Sequence, residues 1–468
     1  MWKSKRIAEI LKTECNGDPQ VPVFGCVIDS RQTRGGEAFF ALVGEKVDGH
    51  DYIEVAWENG ANLVIAEKAR MKEQPNLHVP EGKAFILVES GLNAMQELAK
   101  VWRQELGAKV VGITGSNGKT TTKDMVAAVL AQKYQVHKNK ENQNNEFGVP
   151  MTLLNAPATT EILVVEMGMR GLGQIRALCD FVRPDTGVIT NIGTTHMELL
   201  GSQENIAKAK WELIEALPVE GTAVLNGEDF WSVKMAETDP HLQIYYGIEG
   251  KYHQPNLQGM NLVPTGTLGT QFEIVTQSEH GFADLPLPGE HNVLDALSAL
   301  AVGEIYGISM EEGCRGLAEL ELSKMRLELH PGIRESRLLS DVYNANPTSM
   351  QASLKVLSER SSQATLAILG EMYELGEASA SGHYAVGQSV AQLGITELIT
   401  VGCLAEEIAR GALESGMPQV RVHVCPDRDR AISQAKMLLN SLGDETWVLI
   451  KASRGMKMEK ITEALQIS

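Results

Sequence analysis

The sequence predicts an α/β protein of three domains: a small α/β unit at the N-terminus, a central parallel-sheet unit of phosphate-loop type, and a C-terminal Rossmann-like unit. Three observations carry this. Short apolar runs alternate with amphipathic helical stretches along most of the chain, the pattern of a parallel sheet covered on both faces. One of those runs leads into a glycine-rich turn and a Gly-Lys-Thr at 110–125. The length, 468 residues, exceeds what one hydrophobic core organises, so two to four domains are expected.

The first domain is placed at 1–108. It carries strands over 39–43, 63–66 and 85–88, and a long amphipathic run over 93–106 leads into the next unit. The second is placed at 109–322, with buried strands over 110–114, 162–166 and 188–191. A Gly/Pro-punctuated stretch over 252–288 reads as a small β insertion, followed by a helix over 291–306. The third is placed at 323–468. Strands over 366–369, 398–401, 420–424 and 447–450, separated by amphipathic helices, form a second doubly wound unit. There is no short-period repeat and no low-complexity tract.

Composition narrows the function classes. A formal charge of -18, from 42 Lys+Arg against 60 Asp+Glu, repels a nucleic-acid backbone, so no nucleic-acid partner is expected. It leaves room for a small phosphorylated substrate in a locally positive pocket. The six cysteines are scattered, with no CxxC pair, which suits thiols packed as small apolar groups in a reducing compartment. The N-terminal residues MWKSKRIAEILK contain no apolar core of a signal peptide. No apolar run approaches the roughly 20 residues that cross a bilayer. A cytoplasmic protein without a membrane span is the expectation.

The most informative segment is VVGITGSNGKTTTKDM, residues 110–125. A buried strand ends in the turn Gly115, Ser116, Asn117, Gly118, and a helix follows from Lys119, Thr120 and Thr121. Glycines let backbone N–H groups converge on phosphate oxygens, and the helix N-terminus adds a favourable dipole. Lys119 is placed to neutralise the β/γ-phosphates of ATP, and the Thr120 hydroxyl to ligate Mg²⁺. The strict pattern GxxxxGK[ST] fails by one place, because Ile113 occupies its first glycine slot. The plain alternative is a glycine-rich turn with a solvated lysine.

Further oxygen ligands are needed for Mg²⁺. Glu166 ends the buried run ILVVE, and an acidic residue leaving such a strand points into the crevice of an open α/β sheet. His196 follows the next strand in TNIGTTHME. Lys208 and Lys210 lie on a helix beginning near Gln203, where the plain reading is a solvated face.

TGSNGKTT, with the segments below, resembles the Mur ligase family and the related folylpolyglutamate synthetases, which make amide bonds through an acyl-phosphate. The resemblance implies ATP and two Mg²⁺ ions, with Glu166 and His196 as metal ligands. It also implies a carbamylated lysine, assigned to Lys210 by its A-K-W context, acting as a carboxylate near the second ion. Lys119, His196 and Lys210 are thus the catalytic candidates, and Thr120, Glu166, His196 and Lys210 the metal candidates. PGEHNVLDAL resembles the family's G-x-H-N motif, with Asn292 at the adenine. Arg326, in LSKMRLELH, matches the arginine that reaches the ATP phosphates. DVYNANPTSM matches the segment in which Asp341 meets the ribose, with Tyr343 and Asn344 near the γ-phosphate.

Other segments bear on the substrates. DSRQTRGGEAFFALVGEKVDGHDYI, residues 29–53, resembles a uridine-diphosphate-binding N-terminal domain, with Ser30 and Arg31 near the uracil and diphosphate. NQNNEFGVPMTLL, residues 142–154, resembles the loop facing the muramoyl-peptide, with Asn144 and Asn145 as candidates. GEMYELGEASASGHYAVG resembles the segment of members that add D-alanyl-D-alanine, and Lys451, Ser453 and Arg454 are candidates for holding the dipeptide carboxylate. The implied partners are UDP-N-acetylmuramoyl-tripeptide and D-alanyl-D-alanine, and the family suggests a monomer. Two alternatives stand beside this: a relative adding a single amino acid or extending a folate, and a non-catalytic nucleotide-binding module.

Overall fold

The structure is a computed structural model, which describes residues 2–44, 47–72, 77–140, 143–321, 323–360 and 363–467. Asn142, in the loop assigned to the peptide substrate, and Leu322, at the expected second boundary, lie outside the described residues.

The N-terminal sheet has five strands in the order Cys15–Gly17, Ala84–Val88, Leu63–Glu67, Ala38–Phe40, Cys26–Val27. All its pairings are parallel except that of the Cys15–Gly17 edge. The strand expected over 39–43 is thus shorter, and the chain turns away after Phe40. Helix Gly91–Leu106 packs on this sheet and hands the chain to the central one. The Ser90 hydroxyl accepts from the Asn93 N–H at its start, and Gly107 ends it in the left-handed conformation at φ 62°.

The central sheet has nine strands, in the order His280–Leu285, Gly269–Val275, Leu257–Thr265, Leu242–Gly247, Thr222–Asn226, Thr186–Ile189, Lys109–Thr114, Ile162–Glu166, Val136–Lys138. Side chains alternate between two cores, as a pleated strand requires. Val110, Leu163, Val165 and Ile189 enter one apolar cluster, whereas Val111, Ile162, Val164 and Val188 enter the other. The stretch over 252–288 is not a separate insertion. Leu257–Thr265 pairs parallel with Leu242–Gly247, and two antiparallel strands continue the same sheet. Phe272 and Ile274 are buried because helix Glu290–Ile305 covers this end too.

The C-terminal sheet runs Glu328–Pro331, Arg337–Asp341, Trp447–Lys451, Thr365–Gly370, Glu397–Val401, Val422–Cys425, parallel except at the first pair. The Arg337–Asp341 strand, absent from the sequence reading, lies inside this sheet and carries Asp341 at its carboxyl end. Helix Pro347–Ser358 begins with Asn346 as a capping-box residue and Pro347 in the first turn. No helix among the described residues is long and apolar enough to cross a membrane. All six cysteines are free.

Candidate active site

The strand Lys109–Thr114 has Ile162–Glu166 on one side and Thr186–Ile189 on the other, and its neighbours lead away in opposite directions. This is the switch point at which an open α/β sheet binds ligands. The turn after it is fixed tightly. Gly115 sits at φ 155°, and a Cβ there would fall 1.8 Å from Thr190 Oγ1. Gly118 sits at φ 79°, and a Cβ there would fall 2.5 Å from Asp295 Oδ1. The Ser116 and Asn117 N–H groups donate to the Asn191 carbonyl and side chain, at 2.9 and 3.0 Å. Helix Lys119–Leu130 opens from this turn into a cavity of about 1280 Å³. Ser116, Asn117, Gly118, Lys119, Thr120 and Thr121 line that cavity, while Gly115 lies just behind them. The Lys119 ammonium donates to the Gly115 carbonyl at 2.7 Å, and burial lowers its pKa.

Thr120 and Glu166 meet at the cavity floor. The Thr120 hydroxyl donates to Glu166 Oε2 at 2.8 Å and accepts from Arg326 Nη2 at 2.8 Å. Asn144 Nδ2 donates to the other Glu166 oxygen at 2.8 Å. A hydroxyl and a carboxylate at this separation are the hard oxygen donors that suit Mg²⁺, which takes few protein ligands and keeps its remaining positions for water and phosphate. The donor set therefore fits the ion. Among the described residues no three His, Cys, Asp or Glu side chains cluster as a dedicated metal cage.

His196 also lines the cavity, in the left-handed conformation, φ 62°, which is costly for a residue with a Cβ and common where function fixes geometry. Burial, with nearby Lys210 adding to it, holds its imidazole pKa below the ordinary value, leaving the neutral ring that ligates metals. Its Nδ1 stands 3.1 Å from Glu374 Oε2 without the alignment of a hydrogen bond. Lys210 is not on a solvated face. It is buried on helix Gln203–Glu215, and burial followed by Lys119 depresses its ammonium pKa well below the ordinary value. Lys208 by contrast pairs with Glu204 at the surface.

The third segment closes the cavity. Arg326 lies over the Tyr343 ring, with its guanidinium carbon 4.3 Å from the ring centre. Asp341 and Lys451 are register partners at the ends of adjacent strands, and Lys451 Nζ donates to Asp341 Oδ2 at 2.5 Å and to the Asn344 carbonyl at 3.1 Å. Lys451 is thus engaged with Asp341, and Arg454 with Glu459 at 2.8 Å. The Ser453 hydroxyl accepts from the Tyr373 N–H. Asn292 also lines the cavity, its amide donating to the Pro288 carbonyl at 2.7 Å.

Asn145 lines the cavity too, but its side-chain oxygen accepts from the Gly148 N–H at 2.9 Å, at the start of helix Gly148–Leu154. Ser30 and Arg31 are not among the residues lining this cavity. Ser30 is buried in a short 3₁₀ turn of the N-terminal unit, and Arg31 is folded back on Asp29 through two bonds of 2.9 and 2.8 Å.

Several cavity residues escaped the sequence reading. Asn346 Nδ2 donates to Asn117 Oδ1 at 2.6 Å, tying the third segment to the phosphate loop. Burial pushes the Asp295 carboxyl up to about 8 and the His291 imidazole down to about 4. Both belong to the G-E-H-N-V-L-D stretch, where the signal was a polar residue on an otherwise apolar helix. Nothing local marks Glu374 as a neighbour of His196 and Arg170.

A phosphate-loop sheet whose cavity is completed by a second, Rossmann-like sheet defines a nucleotide-using enzyme class. Family comparison is more specific. The Mur ligase family catalytic domain model matches residues 23–103, the Mur ligase middle domain residues 113–303, and the Mur ligase glutamate ligase domain residues 325–454. UDP-N-acetylmuramoyl-tripeptide–D-alanyl-D-alanine ligase of Bacillus subtilis (strain 168) is 38% identical over 98% of this chain and 97% of its own. The enzyme of that name from Escherichia coli (strain K12) is 31% identical over 98% and 97%. Among solved structures, a MurF of Acinetobacter baumannii superposes with TM-score 0.86 at 27% identity, covering 99% of this chain and 98% of its own. The MurF ligase of Thermotoga maritima in complex with ADP gives 0.79 at 27% identity, over 94% and 96%. The chain belongs to the Mur ligase family.

Proposed function

We infer that this chain is an ATP-dependent amide ligase of peptidoglycan precursor synthesis, joining D-alanyl-D-alanine to UDP-N-acetylmuramoyl-tripeptide with release of ADP and phosphate. One observation carries the chemistry: the phosphate-loop Thr120 touches both Glu166 and Arg326, so loop, sheet end and third segment converge on one point.

In this reading the tripeptide's terminal carboxylate attacks the γ-phosphorus of ATP, and ADP leaves. The dipeptide amine then adds to the acyl-phosphate, and the tetrahedral adduct expels phosphate to leave the amide. Phosphoryl transfer of this kind is driven by positioning and charge stabilisation. Lys119 and Arg326 would hold the phosphates, Asn292 the base and Asp341 the ribose. Mg²⁺, held by Thr120, Glu166 and His196, would supply charge neutralisation at the phosphates. A carbamylated Lys210 would add a carboxylate beside His196, and the depressed pKa of that amine supports it, since a neutral amine is the form that captures CO₂. Closure around the cavity would keep water from the acyl-phosphate.

The N-terminal unit, with Ser30 and Arg31, would hold the uridine diphosphate and deliver the peptide past Asn144. Tyr373 and Glu374 line the cavity within the segment that resembles dipeptide-adding members, which favours D-alanyl-D-alanine as acceptor. The domain limits 1–108, 109–322 and 323–468, a cytoplasmic location and a monomeric state belong to the same proposal. Phosphate release, measured across nucleotide-sugar peptides and amine acceptors, tests it. Release should require both the UDP-muramoyl-tripeptide and the D,D-dipeptide. Equal release with a single amino acid, or with a folate, overturns the assignment.

A further inference from the structure

Helix Lys119–Leu130 carries a carboxylate that the reaction above leaves without a role. Asp124 is buried one turn beyond Thr120, so the two share a helix face. Its Oδ2 accepts the backbone N–H of Ser323 at 2.9 Å. Its Oδ1 accepts from Lys138 Nζ at 2.6 Å, with Lys123 at 3.6 Å. Three residues after Ser323, Arg326 Nη2 donates to Thr120 Oγ1 at 2.8 Å. The chain passing from the central to the C-terminal sheet is therefore fastened to this helix twice: Ser323 on Asp124, and Arg326 on Thr120.

Between and beyond those fastenings the backbone is wound tightly. Met325 and Leu327, on either side of Arg326, both adopt left-handed conformations, at φ 66° and 47°. Such conformations persist only where surrounding contacts hold them. The Ser323 N–H on Asp124 holds one end, and the Tyr343 N–H donating to the Met325 carbonyl at 3.2 Å holds the other. Arg326 lines the cavity, so its guanidinium borders the space beside the phosphate loop.

We propose that Asp124 is a positioning residue for nucleotide binding: it anchors the crossing segment at Ser323 so that Arg326 is presented at the phosphate loop. The proposal rests on the reading of the cavity as the ATP site. Without the anchor, the strained Met325–Leu327 turn relaxes and the guanidinium loses its fixed place. The structure also separates the two jobs of the carboxylate, since Lys138 engages one oxygen and Ser323 the other.

The test is a double-mutant cycle on the full chain with its substrates. Asp124→Ala and Arg326→Ala are each expected to raise the KM for ATP about tenfold or more, the loss of one charge-assisted contact. Combined, they should cost no more than Arg326→Ala alone, because Asp124 acts through Arg326. Additive losses overturn the proposal, since they would mean Asp124 supports the fold or the nucleotide by another route. Lys138→Met, which leaves the Ser323 contact in place, should keep the wild-type KM; a rise matching that of Asp124→Ala also overturns it. If Asp124→Ala does not fold, Asp124→Leu, similar in size to Asp and without an acceptor for the Ser323 N–H, enters the same cycle with the same two outcomes. An Arg326→Ala protein with unchanged KM for ATP would instead sink the ATP-site reading on which the proposal stands.

Discussion

Thr120 Oγ1 and Glu166 Oε2 stand 2.8 Å apart, although 46 residues separate them in the chain. The contact exists because adjacent parallel strands end side by side, and the phosphate-loop helix starts where the Glu166 carboxylate emerges. Glu166→Gln preserves shape and keeps an amide oxygen for Asn144, while removing the charge. Ligation should fall by about a hundredfold or more, as when a group that stabilises transition-state charge is removed. The Mg²⁺ concentration for half-maximal phosphate release should rise, and chelation of Mg²⁺ should abolish release by the wild type. An unchanged Mg²⁺ dependence in the variant would count against Glu166 as a ligand.

Burial, and after it Lys119, disfavour the charge on Lys210, with Asp229 only partly opposing them. Lys210→Ala should lose most ligase activity and recover a substantial part of it with a short carboxylate such as acetate. Phosphate release measured with and without acetate decides this. Full activity without additive would show that Lys210 carries no carbamate role.

Asp295 is buried beside Gly118, and burial raises its carboxyl to about 8, far above its value in the unfolded chain. The folded state then binds the proton more tightly than the unfolded state. That contribution to stability is whole below the unfolded pKa of about 4 and is lost as pH rises toward 8. Asp295→Asn should flatten this decline, so its melting temperature should gain on the wild type between pH 5 and pH 8. Parallel curves over that interval would remove Asp295 as the titrating group. Gly118→Ala should weaken ATP binding in the same region, because a Cβ meets the Asp295 carboxylate and the backbone is left-handed.

Asn155 joins the N-terminal unit to the central one. Its side-chain oxygen accepts from the Cys26 N–H at 2.9 Å, and its amide donates to the Cys26 carbonyl at 3.0 Å, extending the edge of the first sheet. Asn155→Ala leaves both backbone groups without partners and should cost about 1–2 kcal/mol, read from denaturant unfolding. The KM for the UDP-linked substrate should rise while that for ATP stays level. The reverse pattern would place the effect in the nucleotide site.

The phosphate loop was legible because its chemistry is written in consecutive residues: a buried strand, two glycines with positive φ, and Gly-Lys-Thr at a helix start. Glu166 was legible for a related reason, as the polar end of an apolar run. Lys210 was only half legible. Sequence spacing put it on a helix, but a helix position alone does not say which side meets solvent, and the plain reading of a solvated face proved wrong. The 252–288 region misled because Gly and Pro mark turns equally well in an inserted domain and in a sheet extension. Only pairing with Leu242–Gly247 distinguishes the two.

The sequence by itself determined the α/β class, the three-unit order, the glycine-rich loop at the mouth of the central sheet and most of the polar residues around it, since period-two burial and turn chemistry act locally. Tertiary structure alone decided which of those residues meet. Arg326 on Thr120, Asn346 on Asn117 and Ser323 on Asp124 are contacts across roughly half the chain, made by how one sheet packs against another. No local propensity encodes such distances. They follow from cores whose packing density permits few arrangements of rigid layers.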